Sequence, residues 1–127
     1  MSHPLIDRLV TEFGWSRLAD TATLDDYLSR AGTHMIFVPG DVSRNLETPD
    51  VAVIAPELSA AFQGRFDCAL AEEEADRDIR ERAKTYKTPS LLFFRDGALI
   101  GAIPKVRDWS DYVGRITHIL AQPVAAE

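Results

Sequence analysis

Residues 34–38, HMIFV, form an apolar run closed by Gly32 on one side and by Pro39-Gly40 on the other. A strand with one wet face would alternate apolar and polar residues, and this one does not. The run predicts a strand covered on both faces, and so a sheet with helices above and below it.

The flanking segments supply those helices. Leu5, Leu9 and Phe13 stand four apart, with Ile6 and Val10 alongside, which places one helix near the N-terminus with Gly14 as its left-handed stop. WSRLA predicts a short strand. Thr23 and Asp26 resemble a capping box ahead of a helix that buries Leu24, Leu28 and Ala31 and stops at Gly32. Residues 51–63, VAVIAPELSAAFQ, admit two readings. VAVI alone is compatible with a strand, whereas Val51, Ile54, Leu58 and Phe62 fall on one helical face. A helix N-capped by Asp50 and kinked at Pro56 is the preferred reading.

Phe66, Cys68 and Leu70 alternate as in a strand. EEEADRDIRERAKTY then predicts a charged helix burying Ile79, Ala83 and Tyr86. LLFF and ALIGAI are strands joined by Arg95-Asp96-Gly97, a hairpin turn. A last helix, capped by Asp108 or Ser110, buries Val113, Ile116 and Leu120, and residues 123–127 fray. The order β-α-β followed by a hairpin and a helix gives a mixed sheet in a three-layer α/β/α domain. With 127 residues and no linker or repeat, the chain reads as a single domain over 1–127.

Composition narrows the chemistry. The net charge of −6 disfavours nucleic acid, whose phosphates demand lysine and arginine. There is no apolar run of the ~18 residues a membrane span needs, and no secretory leader at the start, so a cytoplasmic protein without membrane insertion is expected. His3, His34 and His118 are far apart and Cys68 stands alone, so neither a metal nor any other cofactor is expected. There is no Gly-x-Ser-x-Gly elbow and no glycine-rich phosphate loop.

The sequence TPSLLFFRDGALIG followed by a capped helix, with IAP at 54–56, resembles the second half of a thioredoxin domain, and the element order extends that likeness over nearly the whole chain. The resemblance implies a cis peptide bond at Thr88-Pro89. It also implies a Cys-x-x-Cys pair where this chain carries GDVSRNLETPD. Dithiol exchange requires one thiolate to attack and a second thiol to resolve the mixed disulfide, and a chain with a single cysteine cannot perform it. The buried acid and the tryptophan of the redox motif are missing as well.

PGDVSRNLETPDVAVIAPELSAAF, the acidic stretch after the strand at 66–71, and Trp109 are together similar to the HyaE/HupG family of hydrogenase-1 expression/formation proteins. That resemblance implies a non-catalytic, cytoplasmic accessory chaperone. Its implied partner is the small-subunit precursor of a NiFe uptake hydrogenase, held by its twin-arginine signal peptide, with other hydrogenase maturation proteins as further partners.

Two groups of residues are candidates for holding such a peptide. Glu72, Glu73, Glu74 and Asp76 could pair with the two guanidiniums; carboxylates at a helix start are equally explained by the helix dipole. Thr88, Pro89, Pro104-Lys105 and the loop from Asp41 to Asp50 would meet at one edge, with Glu47, Asp50 and Glu57 supplying negative charge. Trp109 reads as a packing lid at a helix start. Cys68 reads as a buried, inert thiol. A single-thiol redox protein using Cys68, or a structural thioredoxin-like module without leader specificity, are the rival functions.

Overall fold

A computed structural model describes residues 3–122; the frayed end expected at 123–127 lies outside them. The elements are α1 (Pro4–Thr11), β1 (Ser16–Leu18), α2 (Thr21–Leu28), β2 (Thr33–Val38), α3 (Thr48–Ala61), β3 (Asp67–Ala71), α4 (Glu73–Ala83), β4 (Ser90–Arg95), β5 (Ala98–Pro104) and α5 (Trp109–Ala121). They build a five-stranded sheet in the order β1-β3-β2-β4-β5. β1 and β2 run parallel to β3, and β4 runs antiparallel to β2 and β5, so the sheet is mixed as the sequence implied.

The pleat sorts side chains to the two faces. Met35, Phe37, Cys68, Leu70, Leu91 and Phe93 pack under α1, α3 and α5. Ile36, Val38, Ala69, Ala71, Leu92 and Phe94 pack under α2 and α4. The HMIFV run therefore lies between two helical layers, which is why it contains no alternating polar residue.

Several boundaries differ from the expectation, each for a local reason. The capping box of α2 is Asp20 with Thr23: the Asp20 carboxylate accepts the Thr23 N–H at 2.8 Å and the Thr23 hydroxyl accepts the Asp20 N–H at 3.3 Å. Aspartate is as strong an N-cap as threonine, so the helix starts earlier than Thr23 alone would set it. Its buried stripe is Leu24, Tyr27 and Leu28, and Ala31 lies past the helix end, exposed.

α3 is one continuous helix through a buried Pro56, with Glu47 rather than Asp50 as N-cap. Pro49 sits in its first turn, where a missing N–H costs nothing, and the helix begins ahead of it. α1 ends at Thr11, before Phe13, which is exposed. α4 ends on Lys84 in the left-handed conformation, so Tyr86 leaves the helix and is exposed. Trp109, at the first position of α5, is 47% exposed and is no lid. Tyr112 fills the place beneath the helix start instead, fully buried, with its hydroxyl donating to the Lys105 carbonyl at 3.0 Å.

Candidate functional site

The C-terminal ends of β2 and β3 open on the loop 39–47, and this loop is built by its own side chains. The Asp41 carboxylate accepts the Ser43 N–H at 3.0 Å and its hydroxyl at 2.6 Å, bonds that hold the Asp41 carboxyl below the usual carboxylate range. Asn45 then spans the loop through its amide, donating to the Asp41 carbonyl and to the Thr88 hydroxyl, both at 3.0 Å. The buried Thr48 hydroxyl donates to the Pro39 carbonyl at 2.9 Å.

Gly40 completes the knot. Its φ is +71°, and a Cβ there would lie 2.3 Å from the Thr88 hydroxyl oxygen and 2.7 Å from the Asn45 amide nitrogen. No other residue fits so close to Thr88. The Thr88–Pro89 peptide bond is cis. The Lys105 N–H donates to the Pro89 carbonyl at 2.8 Å, and the Glu47 carboxylate accepts the Val106 N–H at 2.9 Å. Loop 39–47, Thr88-Pro89 and Lys105-Val106 thus form one edge, hydrogen-bonded across three chain segments.

The acidic candidates do not gather into one patch. Glu47 is half-buried and its carboxylate is engaged by Val106, whereas Asp50 and Glu57 are exposed on the outer side of α3. Glu72 pairs with Arg17 at 2.5 Å, Asp76 with Arg80 at 2.6 Å, and Glu74 accepts the Thr21 N–H at 2.9 Å. Burial pushes the Asp76 carboxyl up, against the pull of Arg80. A groove between the loop and α4 brings Asp41, Glu73 and Asp76 alongside Thr88, but Arg44, Arg77 and Arg80 line it with them, so its charge is balanced. At the start of α4, Glu72 and Asp76 are thus taken up by ion pairs and Glu74 by a backbone N–H, while no hydrogen bond or ion pair among the described residues reaches the Glu73 carboxylate.

At the opposite end of the sheet lies a cluster that sequence reasoning missed. His34 is fully buried, with Nδ1 2.6 Å from the Asp67 carboxylate and Nε2 2.9 Å from the Arg30 carbonyl. The carbonyl accepts only, so Nε2 carries a proton, and the Tyr27 hydroxyl donates to the same Asp67 oxygen as Nδ1 approaches. A histidine and an aspartate 33 positions apart give no signal in a sequence until the β2–β3 register is known.

Cys68 adjoins Asp67 but packs on the α1–α3–α5 side, whereas Tyr27, whose ring packs at a tilt against His34, belongs to the α2–α4 side. The pleat thus separates thiol and imidazole, and burial pushes the Cys68 thiol up to about 12. Nothing here activates it as a nucleophile. Among the described residues no group of three or more His, Cys, Asp or Glu could hold a metal. No helix among them is long and apolar enough to cross a membrane.

The family model for hydrogenase-1 expression protein HyaE matches residues 5–112. The chain belongs to the HyaE family. Among its relatives, the hydrogenase expression/formation protein HupG of Rhodobacter capsulatus is 54% identical over 120 residues, covering 94% of this chain and 87% of that one. A crystal structure of the hydrogenase expression/formation protein hupG from Rhodopseudomonas palustris superposes with a TM-score of 0.58 at 36% identity, covering 84% of this chain and 95% of that one. Mitochondrial thioredoxin 3 from Saccharomyces cerevisiae matches with a TM-score of 0.67 at 13% identity, covering 83% of this chain and 96% of that one. HyaE-family membership places the chain among hydrogenase expression and formation proteins, and the yeast structure identifies the fold as thioredoxin-like.

Proposed function

We propose that the chain is a non-catalytic, cytoplasmic accessory chaperone of hydrogenase maturation. In this reading it holds the small-subunit precursor of a NiFe uptake hydrogenase by its twin-arginine signal peptide, and hands it on to other maturation proteins. The observation that carries the proposal is an ordered edge at Thr88-Pro89, built from side-chain and backbone hydrogen bonds, in a family of hydrogenase expression proteins and in a chain with one buried thiol. An edge of this kind offers binding geometry with no reactive group. The buried, unactivated Cys68 speaks against a single-thiol enzyme.

The test is calorimetric titration of the purified chain with the small-subunit precursor and with a precursor whose arginine pair is changed to alanine. Binding of the first and marked weakening with the second is the expected result. Binding should also weaken between 0.1 M and 1 M salt, as the Debye length falls from ~10 Å to ~3 Å. No affinity for the precursor, or equal affinity for both forms, overturns the proposal.

A further inference from the structure

The outer side of α3 carries a stripe that neither the core nor the internal ion pairs use. Asp50, Val53 and Glu57 follow one another at intervals of three and four residues and share one face of α3, and Leu46 stands four residues before Asp50, just ahead of the N-cap Glu47. All four are exposed, Leu46 at 88% and Val53 at 43%. Isolated exposed apolar residues are ordinary. Here, however, Leu46 and Trp109 are two of the six large exposed hydrophobics among the described residues, and the Glu47–Val106 hydrogen bond ties the segment that carries Leu46 to the one leading into Trp109; Val53, a third, lies further along α3.

The charges agree. Among the described residues no hydrogen bond or ion pair reaches the Asp50 or Glu57 carboxylate, whereas at the start of α4 Glu72, Glu74 and Asp76 are engaged and Glu73, though without such a partner, lines a groove with Arg44, Arg77 and Arg80. Asp50 and Glu57 stand seven residues apart on the helix, ~10 Å along its axis. In the segment ahead of α5, two cations are turned to backbone: Lys105 Nζ approaches the Thr88 carbonyl at 3.4 Å and Arg107 Nε donates to the Pro104 carbonyl at 3.0 Å. Alternating apolar and acidic side chains complement a segment in which adjacent arginines precede an apolar stretch, the composition of a signal peptide of this class.

Resting on the leader-binding reading, we infer that the leader runs from the Thr88-Pro89 edge onto the α3 stripe with Trp109, which adjoins that edge at the Glu47–Val106 hydrogen bond, and not onto the acidic start of α4. Asp50 and Glu57 take the arginine pair, and Leu46, Val53 and Trp109 take the apolar stretch. Guanidinium–carboxylate pairs at an exposed surface are individually weak, and the adjacent apolar contact supplies the exclusion of water that strengthens them.

The test uses a synthetic leader peptide with its arginine pair and apolar stretch, titrated against the full chain. Trp15 is buried, so Trp109 dominates acrylamide quenching, and bound peptide should shield it. Leu46→Ser, Trp109→Ala and the double change Asp50→Asn with Glu57→Gln should each weaken binding about tenfold, and Glu73→Gln on α4 should leave it within about twofold. These side chains are exposed, and circular dichroism checks that the fold is kept. If the unaltered chain fails to bind the peptide, the leader reading and this inference fall together. If it binds, and Glu73→Gln weakens binding while the α3 changes do not, the leader reading stands and this inference falls. A dimer that Trp109→Ala dissolves, with peptide affinity unchanged, would assign the stripe to a second copy of the chain and also overturn it.

Discussion

The Glu47 carboxylate accepts the backbone N–H of Val106 at 2.9 Å across a separation of 59 residues. A residue counted from sequence as surface negative charge is thus a structural clasp between the start of α3 and the segment before α5. Glu47→Ala removes the acceptor from a half-buried N–H and should cost about 1–2 kcal/mol. Glu47→Gln keeps a carbonyl oxygen and should cost less. Urea unfolding of both variants measures the difference, and equal loss would mean that the charge rather than the acceptor matters.

Gly40→Ala should disrupt the edge more than any change at its surface. The left-handed backbone at φ +71° is itself unfavourable for alanine, by about 1–2 kcal/mol. The new methyl would also press on Thr88 and Asn45, so the Asn45–Thr88 hydrogen bond should break. The variant should lose more than ~2 kcal/mol of stability, visible as a lower Tm. Amide exchange should show faster opening of residues 40–48, with β3 protected as before.

Cys68 should be inert in the folded chain. Its thiol is pushed up to about 12 by burial, so almost none is thiolate at neutral pH. Alkylation at pH 7.5 should be far slower than for a free thiol and should become rapid in denaturant. Fast labelling of the folded protein would revive the single-thiol reading.

The acid side of the stability profile follows from hydrogen-bonded carboxylates. Asp20 is held below its ordinary 3.8 by the Thr23 N–H, and Asp78 by the Arg82 guanidinium. Each binds its proton more weakly folded than unfolded. The stability they contribute is therefore present above the unfolded value and lost as pH falls through the depressed folded values. Asp76 runs the other way: its folded value is raised, so acid relieves part of its burial penalty. Asp20→Asn and Asp78→Asn should flatten the loss of stability between about pH 5 and pH 2, measured by denaturant midpoints, whereas Asp76→Asn should steepen it.

His34→Leu should be more damaging than its apolar character suggests. It removes hydrogen bonds to Asp67 and to the Arg30 carbonyl from a fully buried position, leaving the carbonyl without its donor. A cost of about 2–4 kcal/mol is expected from thermal unfolding. Tyr27→Phe, which leaves the imidazole bonds in place, should cost less.

Much of this architecture was legible in the chain. Periodicity gave ten elements in the observed order, because each helix or strand face is written in residues a few positions apart. Where boundaries slipped, Asp20 offered a better cap than Thr23, Pro49 let α3 begin ahead of Asp50, and Lys84 supplied a left-handed stop. Trp109 and Tyr112 both had the chemistry to cover the start of α5, and packing chose Tyr112.

Sequence alone determined the strand pattern, the covered central strand and the impossibility of dithiol chemistry in a chain with one cysteine, since each depends on residue identity and local spacing. The tertiary structure decided which carboxylates remain available. Glu72 meets Arg17 across 55 residues and Glu74 meets the backbone of Thr21 across 53, while Asp50 and Glu57 face outward without a described partner. A charge is free or committed according to what the fold brings within a few ångströms of it, and distances of that kind are set by strand order and helix packing rather than by position along the chain.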